Sequence, residues 1–176
     1  MSLPDLQYWM AVPGDAAALG EFMARNFLAA YGHCSTPENV EAAIAEHYGE
    51  AAQLRQIRDP ARWNLIVNRG DAWAGHAQLK SGGDVHAGVA ALPSLELSRF
   101  YVDVDFHGRG VAQAMMAAVK AHARETGAKA LHLSVWQQQP QAIRFYRKEG
   151  FTIAGELVFM VGDDAKDDWL MVCALD

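Results

Sequence analysis

The chain reads as one α/β domain, a mixed central β-sheet flanked by helices. Three observations predict this. Hydrophobic residues make up 51% of the chain. Strand patterns alternate with helix patterns after residue 95, which implies a sheet with helices on its faces. No repeat, low-complexity tract or linker rich in proline and serine divides the 176 residues. That length and apolar content fill one sizeable core, so residues 1–176 are read as a single domain.

The elements follow in order. Residues 6–12 form a first strand closed by Pro13-Gly14. Asp15 stands where a helix needs an N-cap, and Leu19, Phe22, Met23 and Phe27 recur at helical spacing up to about residue 31. Thr36 before Pro37 starts a second helix, because proline at the first helical position gives up no needed N–H. It runs to about residue 58, with a break at Gly49. Residues 63–67 and 72–80 pair across the turn at Arg69-Gly70-Asp71. Residues 81–94, with three glycines and a proline, are a loop. Residues 95–104 make a strand, and residues 111–125 a helix with Val111, Met115, Ala118, Val119 and His122 on one face. Gly127 ends it. Leu131, Leu133 and Val135 alternate with His132, Ser134 and Trp136 in the next strand. Pro140 opens a short helix ending at Gly150, and residues 151–161 and 169–175 form a closing hairpin. The predicted order is β-α-α-β-β-β-α-β-α-β-β.

Composition removes several functions. A formal charge of −6 argues against a broad nucleic-acid-binding face, which is normally basic. Cys34 and Cys173 lie far apart and form no metal or redox motif, as expected of reduced thiols in a cytoplasmic protein. The seven histidines show no shared ligand spacing, so no metal is expected, and His76, His122 and His132 are placed on strand or helix surfaces. No stretch approaches the ~20 apolar residues that cross a bilayer, and no secretory signal is visible. The expectation is a cytoplasmic monomer or homodimer with no membrane or nucleic-acid partner.

The densest chemical signal joins the strand of residues 95–104 to the helix that follows: Val102-Asp103-Val104-Asp105-Phe106-His107-Gly108-Arg109-Gly110-Val111-Ala112. Successive backbone N–H groups at a helix N-terminus, with glycines allowing close approach, form an anion nest suited to a diphosphate. Arg109 can add charge. A dinucleotide fingerprint would place a third small residue where Gln113 stands, and no Walker lysine follows. The same glycines also suit a plain strand-to-helix turn.

The run His107-Gly108-Arg109-Gly110-Val111-Ala112 resembles the acetyl-CoA loop of the GNAT N-acetyltransferases, Q/R-x-x-G-x-G/A. Leu97-Ser98-Arg99-Phe100-Tyr101-Val102 resembles that family's fourth strand, and residues 142–151 (Ala-Ile-Arg-Phe-Tyr-Arg-Lys-Glu-Gly-Phe) its C-terminal segment. His107 departs from the usual Gln or Arg, and Gln139 from the frequent Asn before the last helix. Phe159-Met160-Val161-Gly162-Asp163-Asp164, with Asp168 and Met171, is similar to the closing hairpin of PaiA-like members, a subgroup associated with polyamine acetylation.

The resemblance implies a GNAT fold, acetyl-CoA as cosubstrate, and a small-molecule amine acceptor attacked directly in a ternary complex. It implies a cofactor site at Tyr101, Val102, Val104, His107, Gly108, Arg109, Gly110, Val111, Ala112, Gln113, Gln139 and Phe145. The fourth strand is expected to splay from its neighbour, often at a bulge, freeing N–H groups near Val102 to polarise the thioester carbonyl. Tyr146 would protonate the leaving thiolate or anchor the sulfur, since a phenol with a pKa of about 10 stays protonated at neutral pH; a core packing residue is the alternative. Glu96 is the expected base, with a structural ion pair as the alternative. Asp163, Asp164, Asp167 and Asp168 read as an acidic cluster in the hairpin turn, able to draw a polyamine or simply to be solvated. Two other functions fit the sequence: a regulatory module that binds acetyl-CoA without turnover, and an interaction protein that docks a basic partner on that hairpin.

Overall fold

The computed structural model describes residues 5–82 and 93–176, so most of the expected loop at residues 81–94 lies outside the described residues. The strands are β1 (Leu6–Met10), β2 (Arg62–Arg69), β3 (Ala72–Lys80), β4 (Ser94–Val102), β5 (Ala130–Trp136), β6 (Thr152–Val161) and β7 (Asp164–Ala174). The helices are α1 (Ala16–Tyr31), α2 (Pro37–His47), α3 (Glu50–Arg58), α4 (Val111–Glu125) and α5 (Pro140–Lys148). Together the strands make one seven-stranded mixed sheet ordered β1-β2-β3-β4-β5-β7-β6. Its β4–β5 pair is parallel, and the other neighbours run antiparallel.

Local chemistry explains most boundaries. The Thr36 hydroxyl accepts from the Asn39 N–H and Pro37 occupies the first helical position, so α2 begins where the sequence places it. Gly49 does break the helix there, in extended backbone between α2 and α3. Asp15 behaves differently from the expected cap. Its own backbone is already helical, and its carboxylate turns back to accept from the Val12 N–H at 2.9 Å. The strand of residues 95–104 is also shorter than expected. It stops at Val102, and residues 104–106 form a turn of 3₁₀ helix because the Asp103 carboxylate accepts the Asp105 N–H.

Two hydrophobic clusters sit on opposite faces of the sheet. Met115, Met116 and Val119 of α4 pack with Leu131 and Leu133 of β5, and Ile143 and Phe145 of α5 join them. On the other face Leu19, Phe22, Met23 and Phe27 of α1 meet Val40, Tyr48, Trp73 and Tyr101. Two expectations about histidines fail here. His76 is fully buried in β3, and burial, with the Arg99 charge, lowers its pKa to about 3. His132 is also buried, on β5. Both strands are covered on both faces, so alternation along them does not separate core from solvent. His122 is half-buried and stacks on Trp63, ring centroids 4.3 Å apart.

Candidate active site

The strand β4 departs from β5 after three pairs, the last being Glu96 with His132. A bulge causes the turn away. Gln78 of β3 pairs with Arg99 while Leu79 pairs with Leu97, so Ser98 is one residue too many and β4 bends there. The bulge is pinned by polar groups. The Ser98 hydroxyl donates to Gln78 Oε1 at 2.8 Å, and the Gln78 amide donates to Asn64 and Gln56, each at 2.8 Å. Meanwhile β7 stays paired with β5 as far as Asp168 opposite Trp136, so the sheet opens on the β4 side.

The direction of the freed groups follows from strand geometry. The Asp103 N–H donates to the Ala74 carbonyl of β3 at 3.0 Å. Neighbouring residues point their N–H and C=O to opposite sides, so Val102 directs both into the opening. Its carbonyl accepts from Nε2 of His107 at 2.8 Å, which fixes the protonated ring nitrogen and ties the loop to the end of β4. The Val102 N–H is left aimed into the gap.

Beyond His107 the backbone prepares an anion site. Gly108 and Gly110 have φ of +71° and +80°, a left-handed region costly for other residues. Space is open where a side chain of Gly108 would sit. The α4 ladder begins with the Ala114 N–H on the Gly110 carbonyl at 3.1 Å. The N–H groups of Val111, Ala112 and Gln113 therefore have no acceptor within the helix, and no side chain caps it. These features fit a diphosphate. Asp103 buttresses the approach: its buried carboxylate accepts from Arg25 of α1 at 2.6 Å. Burial pushes its pKa up, but the bonds from Arg25 and the Asp105 N–H outweigh that and hold it below the usual range.

The opening between β4 and β5 is a cavity of about 520 Å³ that reaches both faces of the sheet. Seven of the sequence-predicted residues line it: Glu96, Tyr101, Val102, Val104, His107, Gln139 and Tyr146. The glycine loop continues from its rim, and Phe145 lies beneath, stacked on Phe100 at 5.6 Å. Gln139 donates to the Ala30 carbonyl of α1 at 3.2 Å, bridging the two sides of the opening. Val104 is exposed on the 3₁₀ turn instead of extending the strand. Tyr146 is enclosed by Phe100, Phe145 and Phe151, and burial raises its phenol further above the ordinary value of 10. It stays protonated across the physiological range.

The expected acidic turn is not there. Only Gly162 and Asp163 lie between the two strands. Asp164 begins β7, paired with Lys166 at 2.7 Å and bonded by Ser35 at 2.9 Å. Asp168 is four residues farther along and 2% exposed, inside the cavity. The strand extends to Asp164 because Lys166, Asp167 and Asp168 find partners on β6. Sequence reasoning missed this placement, and missed Tyr31, Ser134 and Arg99 in the same wall. Arg99 holds its guanidinium 5.0 Å from the Tyr48 ring centre.

Comparison with known proteins places the chain among acetyltransferases. Residues 23–151 match the acetyltransferase (GNAT) family. An uncharacterized N-acetyltransferase of Mycobacterium tuberculosis is 32% identical over 158 residues, 90% of this chain and 96% of that one. A spermine/spermidine N(1)-acetyltransferase of Bacillus subtilis is 36% identical over 64 residues, 36% of this chain and 42% of that one. The PaiA N-acetyltransferase of Thermoplasma acidophilum, solved with coenzyme A, superposes with a TM-score of 0.77 at 18% identity, covering 97% of this chain and 99% of that one.

Proposed function

This chain belongs to the GNAT acetyltransferase family and is an acetyl-CoA-dependent N-acetyltransferase; we propose that it acetylates a primary amine by direct attack in a ternary complex. The observation that carries this is the opening between β4 and β5, which joins the glycine loop on one side to an acid-lined cavity on the other. In this reading the N–H groups at the start of α4 hold the pyrophosphate, and Arg109 adds charge at the rim. The Val102 N–H points where a thioester carbonyl would gather negative charge, and a donor fixed in advance stabilises that charge without reorganising.

Tyr146 gives its proton to the departing sulfur. Its ring is immobilised by three aromatic neighbours, so the hydroxyl is held in place. Glu96, on the same cavity wall, carries the amine's proton outward to solvent. Cys34 bonds the Tyr31 carbonyl, and neither cysteine thiol lines the cavity, which favours direct attack over an acyl-enzyme.

Polyamines head the acceptors, supported by the similarity to the Bacillus subtilis enzyme and by two carboxylates in the cavity, Glu96 and Asp168. The test is thiol release from acetyl-CoA across a panel of amines. Release with spermidine well above that with neutral-side-chain amino acids supports the assignment. Equal rates across the panel would remove the polyamine, and no release with any amine would remove catalysis.

A further inference from the structure

We propose that Asp168 is a catalytic residue: its free oxygen, Oδ1, receives the acceptor's ammonium in the cavity and takes the proton that frees the nitrogen for attack. This rests on the acetyl-transfer reading and adds to it the atom that binds and activates the amine.

Asp168 carries an unpaired atom. Asp168 is 2% exposed, yet its Oδ1 has no hydrogen-bond partner, while the Ser134 hydroxyl bonds the carboxyl. A buried carboxylate oxygen without a donor is costly, and a site that tolerates one reserves it for a ligand that donates. The cavity limits what that ligand is. Asp168 lies in its wall with Tyr146 of α5 and Tyr31 of α1, and Oδ1 itself is shielded from solvent there, so a donor that reaches it comes from the opening where the thioester is attacked.

Other charged groups around the cavity do not compete for that oxygen. Lys166 is held by Asp164 at 2.7 Å and by the Cys34 carbonyl. Arg99 of β4 is turned to Tyr48 and to the Ser98 carbonyl at 2.7 Å. Glu96 of β4, His33 beyond α1, His107 of the glycine loop and the phenols of Tyr31, Tyr48, Tyr101 and Tyr146 complete the titratable lining. Asp167, the preceding residue, adds like charge. Burial pushes the Asp168 carboxyl up to about 6, above the Ser134 hydrogen bond's opposing pull. A base near that value is ionised at neutral pH and more basic than an ordinary aspartate.

Oδ1 takes one proton from the ammonium, and the neutral nitrogen attacks the thioester carbon. The C–N bond forms and the C–S bond breaks. Tyr146 protonates the sulfur and is restored by the second proton the nitrogen sheds. The first proton leaves Asp168 for solvent through the Glu96 side, so one proton is released per turnover.

The test compares wild type, Asp168→Asn and Glu96→Gln, following kcat/KM for spermidine against pH, where the inflections belong to the free enzyme. Wild type is expected to rise through an inflection near pH 6. Asp168→Asn is expected to lose that inflection and about 100-fold or more in kcat/KM, with acetyl-CoA affinity by calorimetry unchanged. Glu96→Gln is expected to keep the inflection. Folding supplies a second readout. A carboxyl whose folded pKa is raised loses stability as pH rises from its unfolded value through the folded one, so the Asp168→Asn variant should melt higher than wild type at pH 8, with the gap closing as pH falls to about 3.5. An Asp168→Asn enzyme within about threefold of wild type, with the inflection intact, overturns the proposal and leaves acetyl transfer standing. Wild type without turnover on any amine overturns both.

Discussion

Gly110 carries the sharpest prediction about the loop. It is the left-handed residue at the start of α4, with φ +80° and ψ −1°. Placing an L-residue there costs about 1–2 kcal/mol, with β-branched valine at the upper end. For a chain of this length that lowers Tm by about 2–8 °C, leaving the protein folded at 25 °C. Relief of the strain rotates the adjoining peptides and turns an N–H away from the diphosphate. A hydrogen bond to a charged group contributes about 1.5–3 kcal/mol, so one lost donor weakens acetyl-CoA about 10- to 150-fold. Isothermal calorimetry on Gly110→Val, with circular dichroism alongside, measures both effects. An unchanged spectrum with an affinity within about threefold of wild type would refute the assignment of these N–H groups to the pyrophosphate.

Other residues give further tests. Tyr146→Phe keeps the contacts with Phe100, Phe145 and Phe151 and removes only the donor, so kcat should fall about 100-fold or more while the KM for acetyl-CoA barely moves; turnover within twofold would make it a packing residue. Glu96→Gln should lower kcat about tenfold, and an unchanged rate would return Glu96 to a structural role. Asp103→Asn should cost about 1 kcal/mol at pH 7, kept small because Arg25 is largely exposed to solvent. Because the folded carboxyl titrates low, that contribution is present above the unfolded value and vanishes as pH falls through the folded one, so urea midpoints of the two proteins should converge as pH falls below the ordinary carboxylate range. Spermidine KM should rise between low and physiological ionic strength, and salt insensitivity would argue against a polycationic acceptor.

Much of the fold was legible because its signals are local. Thr36-Pro37, Gly49, Gly127 and the period of α4 each act within a turn or two of chain, and each boundary falls where they place it. The glycine loop was legible for the same reason. The bulge at Ser98 arises from pairing with β3 and from the Gln78 amide network, which brings together residues 56, 64, 78 and 98. No window of sequence contains that. Asp168 was misplaced because Asp and Gly also favour turns, and the run Gly162-Asp163-Asp164 drew all four carboxylates into one. The alternation of buried Asp168, Leu170 and its neighbours along β7 was the available signal, interrupted by the paired Lys166. His76 escaped for a different reason: a polar residue in a doubly covered strand carries no local mark of burial.

The central proposal is direct movement of acetyl from the thioester to an amine held in the opening between β4 and β5. Initial rates of thiol release, with acetyl-CoA and spermidine varied together and the acetylated amine weighed by mass spectrometry, test this most directly. The predicted result is a family of intersecting double-reciprocal lines, with one acetylated amine formed per thiol released. Parallel lines, or acetyl-CoA binding without amine-dependent release, would contradict it.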